Sequence, residues 1–227
     1  MPSFRFGVFA SGGGSNLQAL MDRIRSGELP AELAFVLSNN SKSGALERAR
    51  AFGAPAYHVS GVSEGGEDQA AARMVALARS HGISLLVLAG YMKPVPMPVL
   101  AALKNRVVNI HPALLPAFGG SGYYGHKVHE AVLARGCQYT GITIHMVNAV
   151  YDEGQIVLQR SLAVRPGETP ESLAAEVLEL EHAWYWKVVR GFATGAIRPT
   201  DSEDPGRAAD LSAFRERWED GGDHGPG

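Results

Sequence analysis

The chain reads as an α/β domain, an open, mostly parallel twisted sheet with antiparallel additions toward the C-terminus. Three observations predict it. Short apolar runs alternate with longer amphipathic stretches, the β-α rhythm of a parallel sheet covered by helices. Residues 84–89 (Ser-Leu-Leu-Val-Leu-Ala) are almost continuously apolar, as suits a strand buried on both faces. Late in the chain two strand-like runs, 138–147 and 155–164, follow one another with no helix between them, which points to antiparallel pairing.

Each element has its own local reason. Residues 4–10 form the first strand, and Ser11-Gly12-Gly13-Gly14-Ser15-Asn16-Leu17 turns the chain into a helix over about residues 15–26. Residues 32–37 read as the second strand and 43–52 as a short helix. A weak strand near 56–59 precedes a helix over 67–80. Beyond the buried strand at 84–89, a helix at 98–104 leads to a strand at 106–111. Residues 117–125, rich in glycine and aromatics, suit a functional loop. A helix over 128–135 follows. Thr169-Pro170-Glu171 supplies an N-cap, a first-turn proline and an acid that complements the helix dipole, opening a long helix to about residue 194. From residue 200 charge, glycine and proline dominate, with room for a short helix at 211–218. The expected organisation is a single domain over residues 1–200 and a polar, partly disordered tail over 201–227.

A length of 227 residues suits one sizeable domain, and 45% hydrophobic content is enough to build its core. The net charge of −2 comes from 21 basic and 23 acidic residues with no long block of either sign. That excludes the electrostatic footprint of a nucleic-acid or anionic-membrane binder. Small-molecule partners are expected, with the chain a monomer or weak homodimer. Cys137 is the only cysteine, so no intrachain disulfide can form. The N-terminus lacks the apolar core of a signal peptide, and no run approaches the ~18 apolar residues of a membrane span. A cytoplasmic location is expected.

The chemistry is concentrated in Asn109-Ile110-His111-Pro112-Ala113-Leu114-Leu115-Pro116 and, further on, Asp152. Residues two apart on a strand share a face. The prolines end that strand, leaving Asn109 and His111 at its carboxyl end, where open α/β sheets bind ligands. An amide donor, an imidazole and a carboxylate suit acyl transfer, in which an oxyanion is stabilised and a proton is moved. His126 and His129 form a His-x-x-His with no third and fourth ligand at metal-like spacing, so no metal is expected.

The glycine loop suits a single phosphate. Glycines allow close approach of a ligand, and the following helix N-terminus attracts an anion. A dinucleotide fingerprint would place a third glycine where Leu17 stands and an acid near Ser38-Asn39-Asn40. The Gly-Lys-Ser/Thr of a triphosphate loop is missing as well.

The run around Asn109 and His111 resembles the active-site signature of the folate-dependent formyltransferases. The run from His145 through Asp152 to Gln159 is similar to the segment that carries that family's aspartate. The resemblance, over residues 4–198, implies a Rossmann-like formyltransferase fold, 10-formyltetrahydrofolate as co-substrate, and Asn109, His111 and Asp152 as the catalytic residues. Ser-Gly-x-Gly-Ser-Asn-Leu-Gln after the first strand resembles the purine-pathway branch of the family. It implies that Gly14, Ser15 and Asn16 hold the phosphate of glycinamide ribonucleotide, and that Glu181 meets its ribose or amine. Leu88-Ala89-Gly90-Tyr91-Met92-Lys93-Pro94-Val95 is similar to the family's pterin-binding segment, implying folate contacts at Met92, Lys93, Pro94 and Val95, with Asn109 beside the formyl group.

This chain departs from the family pattern in three places. Lys93 replaces a common arginine, residues 63–67 lack another, and residues 118–125 follow a variant branch reading Gly-x-Gly-Tyr-Tyr-Gly. The implied reaction passes the formyl group to the ribonucleotide amine, with a protonated His111 whose pKa is raised by Asp152. The alternatives are a formyltetrahydrofolate hydrolase and a non-catalytic nucleotide-binding module.

Overall fold

In the computed structural model, which describes residues 4–120 and 122–219, regular elements alternate along the chain. The first half runs β1 (Phe4–Phe9), α1 (Ser15–Arg25), β2 (Ala31–Ser38), α2 (Gly44–Phe52), β3 (Ala56–His58), α3 (Gly61–Glu64), α4 (Glu67–Ser80), β4 (Leu85–Leu88), α5 (Met97–Ala102) and β5 (Val107–His111). The second half runs α6 (His126–Ala134), β6 (Tyr139–Met146), β7 (Ile156–Ala163), α7 (Pro170–Ala193), β8 (Arg198–Pro199), β9 (Ala209–Asp210) and α8 (Ser212–Glu219).

Seven strands form one sheet in the order β3-β2-β1-β4-β5-β6-β7. β1 through β5 are parallel, while β6 and β7 join antiparallel. The order reverses between β1 and β4, so the loops leaving those strands diverge and open a crevice at their carboxyl ends.

The strand period sorts side chains between two helical layers. Phe6, Val8, Leu85, Val87, Val108 and Ile110 pack on the side covered by α1, α2, α6 and α7. Phe9, Phe35, Leu86, Leu88 and Val107 pack on the other, under α4 and α5. The continuous apolar run at β4 is therefore buried on both faces.

α7 is fixed at its start and along its length. Thr169 and Ser172 exchange side-chain to backbone hydrogen bonds in a capping box, with Pro170 in the first turn. Deeper in the layer, the buried Tyr185 hydroxyl reaches the carbonyls of Leu88 (2.9 Å) and Val108 (3.1 Å), locking the helix to the end of β4 and the first half of β5.

The α/β class, the parallel order and the antiparallel additions agree with the sequence expectation. The boundary expected at residue 200 does not. β8 and β9 pair, Gln155 bonds the backbone of Ala209 through both its amide atoms, and Leu211 and Phe214 are buried in the core. Small apolar residues spaced among polar ones hid this packing in the sequence. The short helix expected at 211–218 is α8, and the rest of the expected tail, residues 220–227, lies outside the described residues. Among the described residues no helix is long and apolar enough to cross a membrane.

Candidate active site

The carboxyl ends of β1, β4 and β5 open into one cavity of about 510 Å³, lined on its polar side by Ser15, Asn16, Asn109, His111, Asp152 and Glu181. Residues placed far apart in sequence thus meet in one space.

Asn109 and His111 share a face of β5, as their spacing predicts. The antiparallel register with β6 sets His145 opposite Asn109. The Asn109 Nδ2 donates to His145 Nε2 at 3.1 Å, and His145 Nδ1 donates to the Met146 carbonyl at 2.9 Å. The turn after His111 is clamped from β6 as well. Thr143 Oγ1 donates to the Ala113 carbonyl and accepts from the Leu115 N–H.

Asp152 sits in a left-handed conformation (φ 58°), which aspartate tolerates, and its carboxylate reaches back toward both imidazoles. Its Oδ2 lies 3.6 Å from His111 Nδ1 and its Oδ1 3.5 Å from His145 Nε2, while the Gly120 N–H donates to Oδ2 at 2.9 Å. The His111 Nε2 donates to the Phe118 carbonyl at 2.7 Å.

Burial and pairing decide the charges. Burial pushes the Asp152 carboxyl up, but His145, the Gly120 N–H and His111 together outweigh it, and its pKa is lowered. His111 goes the other way from the expected increase. Burial lowers its pKa, and the raising effects of Asp152 and of the Phe118 carbonyl do not overcome it. The expectation of a raised His111 pKa is therefore corrected. A carboxylate 3.6 Å away is too distant to offset the loss of water around a nearly buried ring.

At the other end of the cavity, α1 begins without a side-chain cap and without an acid in its first turn. Its first N–H groups and the dipole face an open space. Gly14 is required there. Its φ is +77°, and a Cβ would stand 2.8 Å from the Ala45 Cα. Gly14 itself does not line the cavity, but it aims Ser15 and Asn16 into it. Asn16 does not cap the helix. Its Nδ2 donates to Glu181 Oε2 at 2.7 Å, and its buried Oδ1 has no partner. Glu181 is 8% exposed, and burial raises its pKa to about 7 against the opposing bond from Asn16.

On the opposite rim, Ser11 Oγ accepts from the Met92 N–H at 2.8 Å, tying the end of β1 to the segment after β4. Tyr91 and Met92 line the cavity, with Met92 half exposed. Lys93 and Pro94 point to solvent, and Val95 packs against the core under α5; none of the three lines this cavity.

Sequence reasoning missed His145, His129 and the backbone of residues 118–120. The alternation of Ile142 and Ile144 with Thr143 and His145 carried a signal for the first, since it places both polar residues on one strand face. His129, buried in the cavity wall, has its pKa lowered to about 4 by burial and by the nearby rings of His126 and His111.

Comparisons with known proteins show what the chain as a whole is similar to. The family model described as formyl transferase matches residues 4–189. Phosphoribosylglycinamide formyltransferase of Bacillus subtilis (strain 168) is 32% identical over 186 residues, covering 82% of this chain and 93% of the relative. The chloroplastic phosphoribosylglycinamide formyltransferase of Arabidopsis thaliana is 40% identical over 195 residues, 86% of this chain and 67% of that one. The crystal structure of glycinamide ribonucleotide transformylase 1 from Symbiobacterium toebii superposes with a TM-score of 0.81 at 38% identity, covering 88% of this chain and 92% of that one. The chain belongs to the formyl transferase family.

Proposed function

We propose that this chain transfers the formyl group of 10-formyltetrahydrofolate to the amine of glycinamide ribonucleotide, a step of purine biosynthesis. The observation that carries the reading is that an uncapped helix N-terminus and the Asn109, His111 and Asp152 side chains open into the same cavity. One end suits a phosphate monoester and the other acyl transfer. The relatives' names supply the acceptor, phosphoribosylglycinamide, and the formyl group as what is moved; the folate donor is what membership of the family implies.

In this scheme Gly14, Ser15 and Asn16 receive the phosphate, and Glu181 meets the ribose or amine. Met92, with Lys93, Pro94 and Val95 beyond it, takes the folate side. Asn109 spends one N–H on His145 and offers the other to the formyl oxygen. His111, with its N–H committed to the Phe118 carbonyl, turns the Nδ1 lone pair toward the substrates. Nδ1 accepts the proton that the amine loses as its nitrogen bonds to the formyl carbon. The imidazolium so formed lies between Asp152 and the new oxyanion, which stabilise it. On collapse the bond from carbon to the folate N10 breaks, Nδ1 returns the proton to N10, and the carbonyl reforms. His111 ends as it began, and no covalent enzyme intermediate or metal enters the balance.

Incubation with 10-formyltetrahydrofolate carrying a labelled formyl carbon tests the reading. The label is expected in glycinamide ribonucleotide by mass spectrometry. Label released only as formate would favour hydrolysis instead.

A further inference from the structure

Phe118 stands in the left-handed region at φ 55°, at the point where its carbonyl meets His111. A phenylalanine gains nothing from that conformation, which disfavours it roughly tenfold or more against ordinary backbone. Something has to hold it there. Its ring meets Tyr123 edge-on, with centroids 5.9 Å apart and planes at 79°. The Arg135 guanidinium lies 5.1 Å from the Phe118 ring centroid, and it also donates to the Tyr123 hydroxyl at 3.2 Å. One exposed side chain at the end of α6, outside the cavity, therefore grips both rings.

The consequence falls on the catalytic imidazole. A neutral imidazole carries one N–H, and two acceptors compete for it. The Phe118 carbonyl is 2.7 Å from Nε2, a full hydrogen bond, whereas Asp152 Oδ2 is 3.6 Å from Nδ1, beyond one. The proton belongs on Nε2, which leaves Nδ1 as the base beside Asp152. If Phe118 relaxed to ordinary backbone, its carbonyl would turn away and the carboxylate would draw the proton to Nδ1. The ring would then present no lone pair toward the substrates. The same loop is fitted closely to Asp152, since a Cβ on Gly119 would stand 3.3 Å from the Asp152 Cβ and 2.6 Å from Leu115 Cδ2.

We propose that Arg135, which touches no reacting group, is a positioning residue for the transfer reaction: by clasping Phe118 and Tyr123 it holds the Phe118 carbonyl on His111 and fixes that ring's tautomer. The inference rests on the transfer reading above for its kinetic consequence, and on geometry alone for its tautomer. The titratable groups that face His111 are Asp152, His145 and His129, and Arg135 variants leave all three in place.

The test uses the full chain with Arg135→Ala, Arg135→Lys and Tyr123→Phe. Long-range proton–nitrogen NMR reads the His111 tautomer, with the resonances assigned from a His111→Gln variant. The parent protein is expected to show the Nε2–H form. Arg135→Ala is expected to gain the Nδ1–H form and to lose roughly tenfold in kcat, with KM for both substrates within about twofold. Arg135→Lys should restore part of both, because lysine keeps the cation over the ring but lacks the planar fork. Tyr123→Phe removes a single oxygen, cannot be dismissed as misfolded, and should move both readouts the same way by less. An unchanged tautomer in Arg135→Ala and Tyr123→Phe overturns the proposal, whether kcat falls or not. The spectrum needs no turnover, so a chain without transferase activity would fail the transfer reading and still decide the clasp.

Discussion

Asn109 and His145 face each other across the β5–β6 ladder, and the amide Nδ2 of one donates to the ring Nε2 of the other at 3.1 Å. That bond fixes which way the amide points. In the proposed reaction a free amide could turn its oxygen toward the formyl oxygen and repel it, and the bond to His145 keeps an N–H there. Asn109→Ala is expected to lower kcat by about 10²–10³, the usual cost of losing an oxyanion donor. His145→Ala should lower kcat by roughly tenfold, with KM little changed, since it loosens the donor without removing it. Steady-state kinetics on both variants check this, and a His145 variant with full kcat would separate the ring from the chemistry.

Asp152→Asn keeps the shape of the side chain and an oxygen for the Gly120 N–H, but removes the charge facing two imidazoles. Turnover should fall by about 10²–10³ while the circular dichroism spectrum and ribonucleotide affinity stay at the parent values. Calorimetric titration with the ribonucleotide separates the two effects.

Gly14→Ala forces a Cβ into the backbone of Ala45 and a left-handed conformation that alanine resists at about 1–2 kcal/mol. The start of α1 should shift. Ribonucleotide affinity is expected to drop more than tenfold, with folate affinity retained. Binding measurements with each substrate alone read this directly.

Glu181 predicts a pH signature in stability. Its carboxyl is raised to about 7 in the fold against an ordinary value of 4.5, so the unfolded chain releases this proton first as pH rises. The fold therefore has its full stability from this group below the ordinary value, loses it through the window from 4.5 to 7, and is flat above it. Glu181→Gln should remove that decline, a difference on the order of 2–3 kcal/mol between the two ends of the window. Urea denaturation of parent and variant at both ends is the measurement. Parallel behaviour of the two proteins would place the carboxyl at its ordinary pKa.

The parts of this structure that follow local periodicity were legible in the sequence. Asn109 and His111 fall on one strand face because side chains alternate, and β4 reads as buried because nothing polar interrupts Leu85 through Leu88. The uncapped start of α1 was half legible. The glycines announced the turn, but only the fold shows Asn16 bonded to Glu181, 165 residues away, instead of capping its own helix. What depends on register or loop path was not legible. His145 reaches Asn109 through the β5–β6 alignment, and Phe118 reaches His111 by a backbone conformation that its side chain does not advertise. The direction of the His111 pKa was misjudged for a related reason. The sequence names the carboxylate that raises it but not the depth of burial that lowers it. Phe214 joins the core from a stretch whose composition reads as tail.

The most direct test of the central claim is the rate at which the purified chain forms tetrahydrofolate from 10-formyltetrahydrofolate, with and without glycinamide ribonucleotide. The account predicts release that requires the ribonucleotide and that Asp152→Asn nearly abolishes. Equal release without the ribonucleotide would contradict it and make the chain a hydrolase, and no release under either condition would reduce the site to a binding module.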